Sequence, residues 1–409
     1  MIAYFLMVVL YLSLAVVSAL ESSFSSFQIV PWFNGMVWLR VHLITLGALT
    51  QILFAMLPVI TAARYDLPRP QTRWDIWLTL NAGIMTLLVG IPMVSQPPIF
   101  LGGTLVFIAT ILLIGQLSAM RPKQPAAETA NGRSYAGVKF YIAGLSYFLV
   151  GILIGTGLWL GWMDYLQVSG KAIEVHIHAN NWGLMSLVFA GLLVDIYPKW
   201  AGRPLAYPQT VTPIFWLMTI GAFGLIFGPW LANLYLLVPG LVLHLTATAL
   251  LLINMIKPLW GDRSAWTAGV WHLVVSYFWI LAPVMVAPFV LLELSGVPGG
   301  AIEAMAPQAL IYGWVLQFGI AIIPYFFMRS FTPEQTPQLG GNWLSFGALN
   351  IGGVVLWMSI FLLPWRPFLH GTAYLLWAVA LVPVVMQLWQ IVKAGLGRFE
   401  QEARPAMGD

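Results

Sequence analysis

The chain contains no cysteine. That excludes disulfides, iron–sulfur ligation, thiolate zinc sites, covalently attached c-type haem and a thiolate-bridged copper centre. Any metal chemistry must use histidine, methionine or carboxylate. Charge is nearly as scarce, at 8% of residues, with only 14 carboxylates and six histidines in 409 residues. No continuous ladder of carboxylates crosses the apolar segments. Glu174 and Glu303 fall at outer helix ends and Asp75 at an inner one, so a proton pump, which needs a relay through the core, is not expected.

What fills the chain instead is apolar. Hydrophobic residues make up 60%, and mean hydropathy is +0.86. A soluble domain could not hide that much apolar surface, so the sequence predicts a polytopic membrane protein in a lipid bilayer. Twenty tryptophans suit interfacial belts. The opening "MIAYFLMVVLYLSLAVVSAL" lacks a basic leading region and reads as a first membrane helix rather than a signal peptide.

Apolar runs of spanning length, about 20 residues, fall near 2–20, 37–60, 74–94, 99–120, 139–162, 172–197, 211–230, 233–256, 266–292, 303–328, 343–364 and 371–394. The expected fold is all-α, with twelve transmembrane helices in a single membrane domain spanning 1–409. The stretch "RPKQPAAETANGRSY" after the fourth run reads as a flexible linker. Fifteen of the 18 basic residues fall on one side of this arrangement, and Arg40, Lys171 and Arg366 on the other. The positive-inside rule then puts both termini in the cytoplasm.

The second, sixth and tenth runs share a pattern: "HLITLGALTQILFAMLP", "HANNWGLMSLVFAGLLVDIYP" and "QALIYGWVLQFGIAIIP". In each, a polar residue (His42, His178, Gln308) lies five before a glycine, and a proline follows. The glycine-to-proline distances are eleven, fifteen and eleven. The extra four is about one helical turn, so the faces stay in phase. A second echo links "AGVKFYIAGLSYF" to "AGVWHLVVSYF". Three pseudo-repeated four-helix units are expected, near 1–120, 136–256 and 265–397.

Histidine inside a span is a functional candidate. His42, His176 and His178 lie within about 5–10 Å of the outer ends of their helices, at 1.5 Å rise per residue. His42 and His178 hold the same repeat position, hence similar depth. Two imidazoles so matched can take both axial positions of a haem standing between them, and Arg40 can pair with its propionates. His176 and His178 are about 200° apart around a helix, so one span can serve two pockets. His244 lies mid-span, as a second-pocket ligand or a helix–helix hydrogen bond. His272 is toward the cytoplasmic end, and His370 reads as interfacial. Asn180 and Asn181 hold water, orient a ligand or bind helices together. Asp195, beside Lys199, reads as a solvated boundary charge.

Twelve helices in three arcs, with "HIHANNWG" at the outer end of one span and "LRVHLITLG" on the second, resemble the catalytic subunit of haem-copper oxidases. In its cbb3-like members an His-x-His motif binds a high-spin and a low-spin haem, one histidine each. The resemblance implies one or two b-type haems on His42, His178 and His176. It also implies a prokaryotic inner membrane, bacterial or archaeal, and an oxidoreductase or electron-transport role. Companion redox subunits, or a cytochrome or cupredoxin as electron partner, would go with it. Here the His-x-His lies on the sixth run rather than the tenth, the seventh run has no histidine, and no two histidines are adjacent. A copper site is therefore not expected, and the build is similar also to the NnrS-type twelve-helix haem proteins associated with nitric oxide stress. The alternative is a secondary transporter or structural membrane subunit without haem, although transporter repeats usually come in two halves.

Overall fold

The computed structural model describes residues 1–29, 37–120, 136–292 and 294–403. The expected linker at 121–135 lies outside them, as do the basic residues Arg121, Lys123, Arg133 and Arg404. Every element among the described residues is helical. Eleven helices are long and apolar enough to cross a membrane: α1 Ile2–Ser26, α2 Trp38–Arg64, α4 Gln96–Ala119, α5 Gly137–Leu160, α6 Ala172–Trp200, α7 Pro208–Trp230, α8 Leu234–Leu259, α9 Ala268–Val290, α10 Gly299–Phe331, α11 Trp343–Phe361 and α12 Leu363–Arg398. The expected third span is a shorter apolar helix of 17 residues, α3 Trp74–Gly90. It ends early because the backbone turns over Ile91–Val94, where Val94 takes a positive φ of 49° before Ser95 and two prolines open α4.

Burial separates these helices sharply. In α2, α6 and α10 the most apolar stretch is 83%, 83% and 100% buried, against 56% or less in the other eight spans. The same three helices carry a π-helical segment: Leu43–Leu49 in α2, Ala179–Met185 in α6 and Ile311–Leu316 in α10. Each segment contains the glycine of the sequence pattern. Each glycine lies under an aromatic ring of the preceding apolar helix: Gly47 under Tyr11, Gly183 under Tyr147, Gly313 under the Trp279 indole. A Cβ at Gly47 would stand 2.7 Å from Tyr11 Cγ, at Gly183 it would overlap Tyr147 Cβ and stand 2.8 Å from the ring's Cγ, and at Gly313 it would overlap the Trp279 indole. A π turn swells the helix wall by a fraction of a residue, and such turns concentrate at functional sites.

The helices gather into two compact units. The first is the described part of Phe54–Asp262, with Met1, whose ammonium bonds Thr72. Within it α4 packs on α3 and α5, α5 on α6, and α7 on α6 and α8. The second unit is the described parts of Ile2–Leu53 and Arg263–Asp409. There α12 packs on α1, α10 and α11, and α9 on α10.

Candidate functional site

In the first unit the polar side chains of "HIHANNW" turn in different directions, as residues two apart on a helix must. His176 faces α5: its Nδ1 lies 2.8 Å from Gly151 O, and its ring rests on Gly155. Asn180 stays on the same side, donating from Nδ2 to His176 O at 2.8 Å and filling the notch at Gly151. His178 faces α7, with Nδ1 2.6 Å from Leu225 O. Its ring stands edge-on to Trp182 at 6.5 Å, and Trp182 in turn stands edge-on to His244 of α8 at 5.0 Å.

The π turn explains how α8 joins this cluster. The Ser186 amide bonds Asn181 O, five residues back, and so bypasses Trp182 O. His244 Nε2 lies 3.3 Å from that bypassed carbonyl. His244 thus makes a helix–helix hydrogen bond, and its Nδ1 is buried with no partner among the described residues.

A carbonyl oxygen only accepts. The nitrogen facing it must therefore carry the proton, which fixes the tautomer of each neutral ring. His176 and His178 are Nδ1–H tautomers with the lone pair on Nε2; His244 is the reverse. His42, in the second unit, follows the first two: its Nδ1 lies 2.7 Å from Trp38 O, one turn back on α2, and its ring stacks on Trp38 at 4.4 Å.

The second unit places Gln308 at the repeat position where α2 and α6 carry histidine. Gln308 accepts a 2.5 Å hydrogen bond from Tyr374 OH on α12. Arg40 sits over the Tyr374 ring, 4.7 Å from its centroid, and His370 meets the same ring edge-on at 6.2 Å. One turn further along α12, Trp377 stacks on Tyr312 at 3.7 Å. His370 is half-buried against this cluster. His272, in α9, is wholly buried and reaches Ser345 Oγ at 2.9 Å.

Asp195 departs from expectation. Instead of a solvated boundary charge it is 2% exposed, paired with Arg64 Nε at 2.8 Å and accepting from Tyr141 OH at 2.8 Å. Gly137 leaves it room, since any Cβ there would overlap the carboxylate. A carboxylate is tolerated at such burial only when paired and hydrogen-bonded, and both conditions are met. The sequence held a signal for it, an aspartate in an apolar helix with an arginine at the end of another. The Tyr374–Gln308 bond had a weaker one, a Tyr and a Trp three apart on an aliphatic span.

Among the described residues no group of three or more His, Asp or Glu side chains is placed to hold a metal ion. A haem asks less of the protein, one or two axial imidazoles. The Nε2 lone pairs of His42, His176 and His178 are suited to that role in chemistry; His244, with Nε2 on Trp182 O, has its lone pair on Nδ1 instead. No protein-family model and no curated protein matches the chain.

Proposed function

We propose that the chain is a b-type haem-binding integral membrane protein that serves electron transfer or the chemistry of a small haem ligand such as nitric oxide. One observation carries the reading: the three outer-end imidazoles each commit Nδ1 to a main-chain carbonyl, at 2.7, 2.8 and 2.6 Å. That arrangement orients a histidine ligand and raises the basicity of Nε2, which is the donor that haem iron takes. His178 in the first unit and His42 in the second are the ligands assigned, each on its own contacts. Arg40, two residues before His42, would supply a cation for a propionate. When bound, a haem with two imidazole ligands would contribute one-electron exchange, and one held by a single imidazole would also offer a coordination site for a diatomic molecule. Companion redox subunits, or a cytochrome or cupredoxin, would be the electron partners.

Three four-helix units and twelve spans belong to the same reading. Its support is the recurrence of burial, π turn and glycine–aromatic contact in α2, α6 and α10. At 17 residues α3 is at the lower limit of a spanning helix. Counting it makes the number even, which puts both termini on one side, and the excess of basic residues supports the cytoplasmic side of an inner membrane as that side.

A second reading is favoured at one position. His176 is seated on Gly155 and bonded to Gly151, which is what an imidazole that only joins two helices would do. Extended to every histidine, it makes the chain a transporter or structural subunit without haem. The visible spectrum of the purified protein separates the two. A Soret band with the sharp reduced α-band of six-coordinate haem b is expected. A colourless preparation from haem-replete cells would overturn the haem assignment.

A further inference from the structure

Three helices of the second unit meet along one seam. On α9, His272, Ser276 and Trp279 share a face at spacings of four and three; on α10, Gly313, Gln317 and Ile320 repeat the spacing. Both ends of this seam are pinned. Trp279 lies directly over Gly313. Inward, Gly341 joins the other pair, its would-be Cβ 2.7 Å from His272 Nε2 and 3.0 Å from Ile320 Cγ2. The two helices therefore run antiparallel, which sets Gln317, between Gly313 and Ile320 along α10, at about the level of Ser276 on α9. The third side is α11: Trp279 Nε1 donates to Asn350 Oδ1 at 2.8 Å, and His272 Nε2 reaches Ser345 Oγ at 2.9 Å.

Gln317 and His272 are both wholly buried. Neither Oε1 nor Nε2 of Gln317, nor Nδ1 of His272, has a hydrogen-bond partner among the described residues. The surrounding bonds fix what each can offer. Ser345 Oγ gives its hydrogen to Asn342 O, so it accepts from His272 Nε2–H, and Nδ1 is left as a bare acceptor. Ser276 Oγ gives its hydrogen to Leu273 O and can only accept toward the seam. The set is then one amide NH2 donor against three acceptors: Gln317 Oε1, His272 Nδ1 and Ser276 Oγ. Leaving such groups unmatched forfeits their hydration without return, and native interiors match them. All are neutral, so the matching molecule is uncharged, is small, and both donates and accepts.

We propose that the α9–α10–α11 junction is a binding site for a water-sized neutral molecule, water itself in the resting protein. Gln317 and His272 Nδ1 hold it, with Ser276 as a further acceptor. There His272 Nδ1 accepts a hydrogen bond from the bound molecule inside the apolar core, and the site rests on no part of the haem assignment. The test is a density map of the full chain in lipid nanodiscs at a resolution that shows ordered water. Density within about 2.7–3.2 Å of Gln317 or of His272 Nδ1 is the expected result; a dry junction in a map that resolves waters elsewhere overturns the proposal. Gln317→Met, close in shape, gives a second measure. If the amide is bonded to water, the variant lowers the thermal unfolding midpoint; an unchanged or raised midpoint means that the amide was unmatched and counts against the site.

Discussion

His178 Nδ1 lies 2.6 Å from the carbonyl oxygen of Leu225 on the next helix. That one contact sets the tautomer of the ring, and with it which nitrogen can serve as a ligand.

The assignment of His178 and His42 is tested by replacing each with alanine. Either variant should convert six-coordinate haem to five-coordinate or lose it, seen as loss of the sharp α-band. His370→Ala, whose ring only edges Tyr374, should leave the spectrum alone. His176→Ala divides the two readings of that residue: loss of a second haem makes it a ligand, whereas an intact spectrum with reduced stability makes it helix glue. Unaltered haem in both His42→Ala and His178→Ala would remove the assignment.

The glycine beneath each aromatic ring gives a packing prediction. Gly183→Val drives two methyls into Tyr147, which is held by its hydroxyl on Thr219 O at 2.8 Å. Overpacking of this kind costs about 1–3 kcal/mol. A lower midpoint in detergent is expected, with Gly47→Val and Gly313→Val behaving alike. Gly115, whose Cβ would meet nothing within 4 Å, is the control that should tolerate valine.

Asp195 and Arg64 should behave as a buried pair. Asp195→Ala strands the guanidinium, and breaking a buried pair typically costs about 3–5 kcal/mol. Asp195→Asn keeps an acceptor for Tyr141 and should lose less. The double variant Arg64→Met, Asp195→Leu should recover much of the difference, because no charge is left unmatched. A double variant as unstable as Asp195→Ala would show that the loss lies in packing.

The absence of cysteine makes topology directly measurable. Asp66→Cys and Ser95→Cys flank α3, and in a twelve-span protein they react with an impermeant thiol reagent from opposite faces of the membrane. Labelling from one face would place α3 without crossing and leave eleven spans.

Composition and periodicity alone determined that this is a helical membrane protein, where its apolar segments lie, and which polar residues recur at matched positions. Those properties depend on local sequence: an apolar run long enough to match a bilayer is helical whatever its neighbours, because the backbone must satisfy its own hydrogen bonds there. The length of α3 was less legible, since hydropathy runs on through Ile91–Val94 while the backbone turns. The partners were decided only by tertiary structure. Nothing local indicates that His176 meets α5 and His178 meets α7, that His244 reaches Trp182 O within a π turn, or that Gly137 opens a place for Asp195 between Arg64 and Tyr141. Each depends on which helix face comes to lie against which. In apolar surroundings that choice is made by close packing at glycine and by the need to match every buried polar group.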